Sequence, residues 1–579
     1  MRGGSSIARE VGLVFGSGLV VYGLSLSPNL AEAHDSVRYL NAIDAGESLF
    51  HAHHLLFAPL AYAWLGLCRA LGVAVDSVFV VGALDAIAGA VGLAAFYALL
   101  RARAGLPARF AAVATALPAF SFGYWFYSTS VEVYLVPLAF LLICLYVLSG
   151  GCLEEGPADA RATSRYRSVG VAHALAVLFH QIHVLFGVAV LAAIWWECRG
   201  DLREARRRTL AHASTAVPIV ALAYAGVMFG VEGVGSAGEA LRFLSGYAAS
   251  GDYWYPLSVD TLARAAVGAA RSLVGGHFVL ALPVGDRVVA ALEGQGLADE
   301  IFLVRDLSTS LAWTLLALSA LFAVGFAFVA TRALRTLLRA GVPGDPADLV
   351  ARLCLVAIAP YALFFLFWVP HNVEFWIPQS TWLWAALAIG WWKGSPRPAR
   401  ARTLGALAVG LGLVNFAGSI DGLRDARNDY YRALVAPYAR ETGPADLVLF
   451  GRSWILEAYA QRFGRADVTS LERIHRAHPG PELAGAVRAE IRHVTERGGR
   501  VFVAADAVRP PAGALWLASE SDARELFAPY RDRWVRVEGA LGPHWVIGPD
   551  APETPAPTST GPNSRVVEPG GVVQTGERR

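Results

Sequence analysis

The chain is almost without lysine. Lys393 is the lone exception, and arginine carries nearly all of the positive charge. Cysteine is sparse too: five residues in 579, none beyond Cys354, no CxxC spacing, and all of them (Cys68, Cys144, Cys152, Cys198, Cys354) in or beside apolar segments. That pattern indicates neither a disulfide framework nor a zinc site. Charged residues make up only 17% of the chain and the formal net charge is +2, so there is no basic excess of the kind that binds nucleic acid. No glycine-rich phosphate loop follows the β-rich run DLVLF at 446–450, which continues GRSWILEAYA, and no nucleotide is assigned there. No internal repeat is evident, which counts against a carrier built from duplicated halves.

Apolar sequence is abundant instead. Hydrophobic residues reach 55% and the mean hydropathy is +0.45, too apolar for one soluble core of this length, and the chain reads as a polytopic α-helical membrane protein. Runs able to cross ~30 Å of hydrocarbon fall at about 11–26, 78–100, 109–127, 133–149, 168–182, 183–197, 210–230, 307–331, 350–369, 376–392 and 403–420, eleven in all. The first follows Arg2 and Arg9 and lacks a small-x-small cleavage site, so an uncleaved span is expected. The run Leu55–Leu71, with Pro59, Tyr62, Trp64 and Arg69, suits a helix lying in the interface. Spans 168–182 and 183–197 are each short and meet at His180, Gln181 and His183, which predicts a hairpin turning within the outer half of the protein.

Arginine sets the expected orientation. The N-terminus and segments 101–109, 150–167, 198–208, 332–352 and 393–402 hold 21 Lys or Arg, against Arg38 and Arg69 alone in the short loops 27–77, 128–132 and 370–375. The N-terminus is therefore expected in the cytoplasm. The first loop, the long loop 231–306 and the C-terminal region are expected outside the inner (plasma) membrane. Residues 1–420 form the transmembrane domain, with outer juxtamembrane helices in 30–75. Beyond about Asp421 the charge rises, and β-rich runs (DLVLF, VFVAAD from 501, WVRV at 534–537, HWVIG at 544–548) alternate with helical ones at 453–463, 482–497 and 520–528. This order predicts a small extracytoplasmic α/β domain over 421–549 with a largely parallel sheet. The Pro/Thr/Ser/Gly tail 550–579 reads as disordered.

Ionisable residues concentrate beside the apolar runs. Asp35 opens DSVRYLNAIDAG, in which Val37, Leu40 and Ile43 share a stripe while Asp35, Arg38 and Asp44 stay polar. At the lip of an outward cavity its carboxylate would have a raised pKa and could serve as a general base; Asp is equally favoured as a helix N-cap. His51, His53 and His54 form HxHH, which raises a divalent metal, but no matched carboxylate spacing accompanies them and no cofactor is assigned. Glu132 and Tyr134 stand in FGYWFYSTSVEVYLVP near the outer boundary, where aromatics are first of all an interfacial belt and a carboxylate can bind sugar hydroxyls. A second aromatic turn, FWVPHNVEFWIPQS, adds His371, Asn372, Glu374 and Gln379. Arg242, Arg264, Arg271 and Arg305 are the cations available to a lipid-linked phosphate, which a guanidinium can bind through two hydrogen bonds.

In this order the segments resemble the GT-C type integral-membrane glycosyltransferases, and among them the polyprenyl-phosphate-sugar-dependent families of the protein O-mannosyltransferases and the lipid A aminoarabinose transferase. The likeness rests on His34-Asp35-Ser36 after span one, the His-rich stretch into Leu55–Leu71, Ser130-Val131-Glu132-Val133-Tyr134 opening span four, and Phe179-His180-Gln181 between the paired short spans. It covers about residues 10–200 by motif and is topological beyond. It implies transfer of a sugar from a polyprenyl-phosphate donor to a glycan, lipid or protein acceptor at the outer leaflet. Asp35 would be the base, His34, Arg38, His53, His54, Glu132, Tyr134, His180, His371 and Glu374 would bind substrate, and Arg242, Arg264 and Arg271 the phosphate. The rival reading is a proton-coupled transporter or flippase of a lipid-linked or polar substrate, with the acids and histidines relaying protons.

Overall fold

The computed structural model describes residues 2–152, 158–246, 253–285, 287, 297–339, 345–451, 454–508, 526–530, 534–539 and 542–549. The expected disordered tail and the start of the expected 520–528 helix lie outside them. Contacts divide the chain into two compact units. One comprises 1–29, 42–288 and 304–425; the other comprises 30–41, 289–303 and 426–579.

The first unit is helical. Each of the eleven expected spans falls on a helix or a broken pair of helices, and among the described residues seven helices are long and apolar enough to cross a membrane: Ser6–Leu24, Ser77–Arg103, Gln181–Cys198, Leu202–Gly230, Thr309–Arg339, Pro346–Phe365 and Pro398–Leu423. Two shorter apolar helices, Ala108–Phe120 and Leu135–Leu148, join them. Caps mark the starts as local chemistry requires. Asp76 accepts from the Val78 N–H, Asp201 from the N–H groups of Arg203 and Glu204, and Asp345 from that of Asp348. Pro346 and Pro398 occupy the first turns of theirs, where a missing N–H costs nothing.

The expected span 109–127 is broken. Pro118 lies inside Ala108–Phe120, Ser121 is extended at ψ 135, and a short helix Phe122–Tyr127 follows. The break is held from its side: Trp384 Nε1 donates to Ser121 Oγ at 3.0 Å, and Asn415 Nδ2 donates to the carbonyls of Phe120 and Leu273, both at 2.7 Å. Tight approach also needs Gly89 and Gly92 in the Ser77–Ala98 helix. A Cβ there would stand 2.2 Å from Ser128 Oγ and 2.3 Å from Tyr124 Oη.

The paired short spans differ from expectation in length. The chain does turn at His180, but the first limb is a 22-residue helix, Ala158–Phe179, about 33 Å long at 1.5 Å per residue. Hydropathy shortened it because its first turns carry Arg161, Arg165 and Arg167. A 3₁₀ helix, Gln181–Phe186, then leads into Gly187–Cys198. His173 Nε2 donates to the His183 carbonyl at 2.8 Å, and His183 Nδ1 lies 2.9 Å from the Tyr361 hydroxyl, which braces the turn from its own first limb and from the helix Pro346–Phe365.

The second unit holds a five-stranded sheet: β1 (Leu447–Phe450), β2 (Asp467–Ser470), β3 (Val501–Val503), β4 (Trp534–Gly539) and β5 (Gly542–Ile547), in the order β2-β1-β3-β5-β4. β1 is parallel to β2 and β3, whereas β5 is antiparallel to β3 and β4. The sheet is thus mixed rather than largely parallel. Only two residues separate β4 from β5, and so short a link can join antiparallel strands but not parallel ones, which need a crossover. The core packs Leu447, Leu449, Val501, Val503 and Ile547 against Leu483, Val487 and Ile491 of the helix Glu482–Glu496.

Candidate active site

In the second unit, Asp35 begins the helix Asp35–Ala45, so its carboxylate sits in the first turn, where the helix dipole favours an anion. It is exposed to solvent. Even so, the surrounding protein raises its pKa by desolvation, an effect that Arg38 and His34 oppose as nearby cations. His34 Nε2 lies 3.1 Å from Asp299 Oδ2, and its ring meets Tyr431 edge-on at 5.5 Å. Desolvation lowers the His34 pKa, but Asp299, Glu32 and Asp35 outweigh it and hold it above 6.5. Arg38 stacks its guanidinium 5.2 Å above Trp454.

In the first unit, imidazoles from two segments form a cluster. His53 and His54 are buried, and His54 stacks on His51 at 4.6 Å with 13° between planes. Its ring lies 5.5 Å from His180, and the amide of Gln181 bonds His53 Nδ1. His51 Nδ1 accepts the His53 backbone N–H and His180 Nδ1 that of Ile182. In the neutral rings the proton of His51 and of His180 is therefore on Nε2, which makes each a donor toward oxygen rather than a metal ligand through that atom. Burial lowers the His53 pKa to about 4 and that of His54 well below 6.5, with neighbouring imidazoles adding to the effect.

From this cluster a polar and aromatic strip continues. Tyr134 packs 5.5 Å from His180 and 5.4 Å from Tyr127; the Tyr127 hydroxyl donates to Glu374 Oε2 at 2.8 Å, and Asn372 Nδ2 to Glu374 Oε1 at 2.7 Å. Next along the same turn is His371. Its pKa is lowered to about 4, first by burial and then by Arg264 and Arg271. These arginines lie on the helix Val259–Leu273 with Gly268 between them, spaced so that all three share one face. A Cβ at Gly268 would sit 2.6 Å from the Pro370 carbonyl oxygen and 2.8 Å from Trp376 Nε1, so glycine is what lets the arginine helix meet the His371 turn. His371 Nδ1 is buried and has no hydrogen-bond partner among the described residues. Arg264 Nε donates to Asp260 Oδ2 at 2.7 Å and Arg271 Nε to the Gly275 carbonyl at 3.3 Å, so this corner gathers two guanidiniums, one acid and a neutral imidazole within electrostatic reach of one another, and guanidiniums are the groups that bind phosphate through paired hydrogen bonds.

Of the residues expected at a site, His53, His54, His180, Tyr134 and Glu374 join in one strip, and His371, Arg264 and Arg271 in one corner. Arg242 does not join that corner. It stands exposed on the helix Ala237–Ser245, 4.0 Å from Glu239 of its own turn. Glu132 is buried and is held through its backbone, whose N–H donates to Asp85 Oδ2 at 3.3 Å. Asp85 and Asp299 were not singled out in the sequence. A lone acid in the apolar run 77–98 is the signal that marks Asp85. Nothing near Asp299 marks it, because its partner is 265 residues away.

No protein-family model matches the sequence, and no curated protein does. The fold, however, is that of the GT-C type integral-membrane glycosyltransferases. Among solved structures the chain is similar to ArnT from Cupriavidus metallidurans in the apo state, at 11% identity over 93% of this chain and 98% of that one, with a TM-score of 0.53. It matches the same protein bound to undecaprenyl phosphate at 10% identity and a TM-score of 0.52, with the same coverage. The Archaeoglobus fulgidus oligosaccharyltransferase in complex with Zn and sulfate aligns at 13% identity over 92% of this chain and 73% of that one, with a TM-score of 0.45. What is shared with ArnT at these identities is the fold.

Proposed function

We propose that this protein is a membrane glycosyltransferase that moves a sugar from a polyprenyl-phosphate donor to an acceptor on the extracytoplasmic side. The observation that supports the reading is the corner where Arg264, Arg271 and His371 lie within electrostatic reach of one another, a charge arrangement suited to a phosphate, in a chain whose fold is shared with ArnT. The structural neighbour bound to undecaprenyl phosphate supports the lipid class of the donor.

The chemistry assigns each group a task. Asp35 takes the proton of the acceptor hydroxyl, and the oxygen attacks the anomeric carbon as its bond to the phosphate oxygen breaks, inverting that carbon. The departing lipid phosphate keeps the bonding electrons, and its charge is met by Arg264 and Arg271. The imidazole and phenol donors of His180, His53, His54 and Tyr134, with the carboxylates of Glu374 and Glu132, orient the sugar or acceptor hydroxyls. At neutral pH His53, His54 and His371 are uncharged, so the arginines alone supply positive charge to the phosphate.

The test is turnover by the purified protein in lipid. A polyprenyl-phosphate sugar is expected to yield free polyprenyl phosphate and a glycosylated acceptor, and a nucleotide sugar to yield nothing. Accumulation of substrate in sealed vesicles without bond cleavage would establish the transporter reading instead.

A further inference from the structure

The loop that carries Asp35 does not pack as a free outer loop. Residues 30–41 belong to the same compact unit as the C-terminal α/β domain, and both ends of the segment are tied to that domain's helices. At the start, the Leu30 N–H donates to Asp429 Oδ2 at 2.9 Å. Asp429 is 1% exposed and gathers three bonds: the same Oδ2 accepts the Tyr459 hydroxyl at 2.9 Å, and Oδ1 accepts the Arg432 N–H, also at 2.9 Å, which caps the helix Tyr430–Glu441. At the far end, Asn41 Nδ2 donates to the Ala458 carbonyl at 2.9 Å. Between them, Arg38 lies over the Trp454 ring. Ala458 and Trp454 are on one helix, Trp454–Phe463, which follows β1 directly.

From these contacts we infer that the C-terminal α/β domain is the scaffold of the Asp35 helix, with Asp429 as the positioning residue that fixes where that helix begins. Leu30 stands five residues before Asp35, and the Asp429 that holds its N–H also bonds Tyr459 of one helix and caps another at Arg432, so it ties three segments at once. A buried carboxylate can do this because it offers several acceptor sites to donors from different segments. Deleting it would leave the Leu30 N–H, the Tyr459 hydroxyl and the Arg432 N–H without their acceptor, and a buried donor stripped of its partner is more costly than the bond was worth. The consequence for activity rests on the reading of Asp35 as the base: a base must stay within hydrogen-bond reach of the proton it takes, so a looser helix lowers kcat while leaving the donor's own contacts, and its KM, in place.

Hydrogen exchange on the full-length protein in lipid, read peptide by peptide, tests the scaffold without knowledge of the sugar. Asp429→Ala is expected to speed amide exchange in peptides covering 30–41 by ~10-fold or more, while peptides from β1 and β3 exchange as in the wild type. Asp429→Asn, which keeps one acceptor oxygen, is expected to fall between them. If Asp429→Ala also loosens β1 and β3, Asn41→Leu decides, since it removes a tie to the domain from outside it. Unchanged exchange across 30–41 in these variants would overturn the scaffold. Kinetics with a polyprenyl-phosphate sugar that supports turnover separate the two readings. Loosening together with a ~10-fold fall in kcat at unchanged KM supports both. Loosening without loss of kcat keeps the scaffold and removes Asp35 as the base, and loss of kcat without loosening overturns the scaffold alone.

Discussion

Two carboxylates on neighbouring segments, Asp35 and Asp299, differ in how far a reader of the sequence could reach them. Asp35 could be singled out as a candidate because it is an acid beside the first apolar run, where an ionisable group is costly. Asp299 acquires its meaning only from the 3.1 Å contact with His34, which no local pattern encodes. The prediction at this scale is that Asp35→Asn loses turnover by ~10²–10⁴-fold with donor binding little changed, because Asn keeps size and polarity but cannot take a proton. The pH profile carries a second signature. As a base Asp35 works when ionised, and its pKa is raised above 3.8, so turnover should fall as pH drops through that raised value. An acid limb set at the ordinary carboxylate value would contradict the desolvated setting. His371, with its pKa lowered to about 4, should stay neutral across pH 6–8, and phosphate affinity should show no titration from it there.

Helices and strands were legible where a period or a run declared them, and missed where charge or a short link overrode the pattern. The runs at 78–100 and 210–230 return as the helices Ser77–Ala98 and Leu202–Gly230. The helix Ala158–Phe179 begins ten residues before its expected start, since its arginine-bearing turns are polar in composition and helical in backbone. The antiparallel pairing of β4 with β5 was missed because the expected strands WVRV and HWVIG stand six residues apart in sequence, and both extend toward each other in the sheet. The candidate phosphate corner depends on an element contact that rests on one glycine. Gly268→Val should push the arginine helix off the 370–372 turn, at about 1–3 kcal/mol of overpacking. The expected result is a donor KM raised ~10-fold or more with the protein still folded. A KM within twofold of the wild type would show that Arg264 and Arg271 do not hold the phosphate.

At the scale of the whole molecule, composition was enough to declare a multi-pass membrane protein, and the order of short motifs was enough to point to the GT-C fold. What composition could not show is that residues 30–41 and 297–303 fold with the C-terminal unit, because contacts between segments hundreds of residues apart leave no local trace. Orientation is checked by fusion: a reporter active only in the cytoplasm, joined after Gly443, should be silent, and one joined within 101–109 active. The central claim is the donor. The most direct measurement is release of polyprenyl phosphate from a polyprenyl-phosphate sugar by the purified protein in lipid, with the Asp35→Asn variant beside it. Release and a glycosylated acceptor with the wild type, and loss of both in the variant, are what the account predicts. Full turnover with a nucleotide sugar alone, or undiminished release by Asp35→Asn, would contradict it.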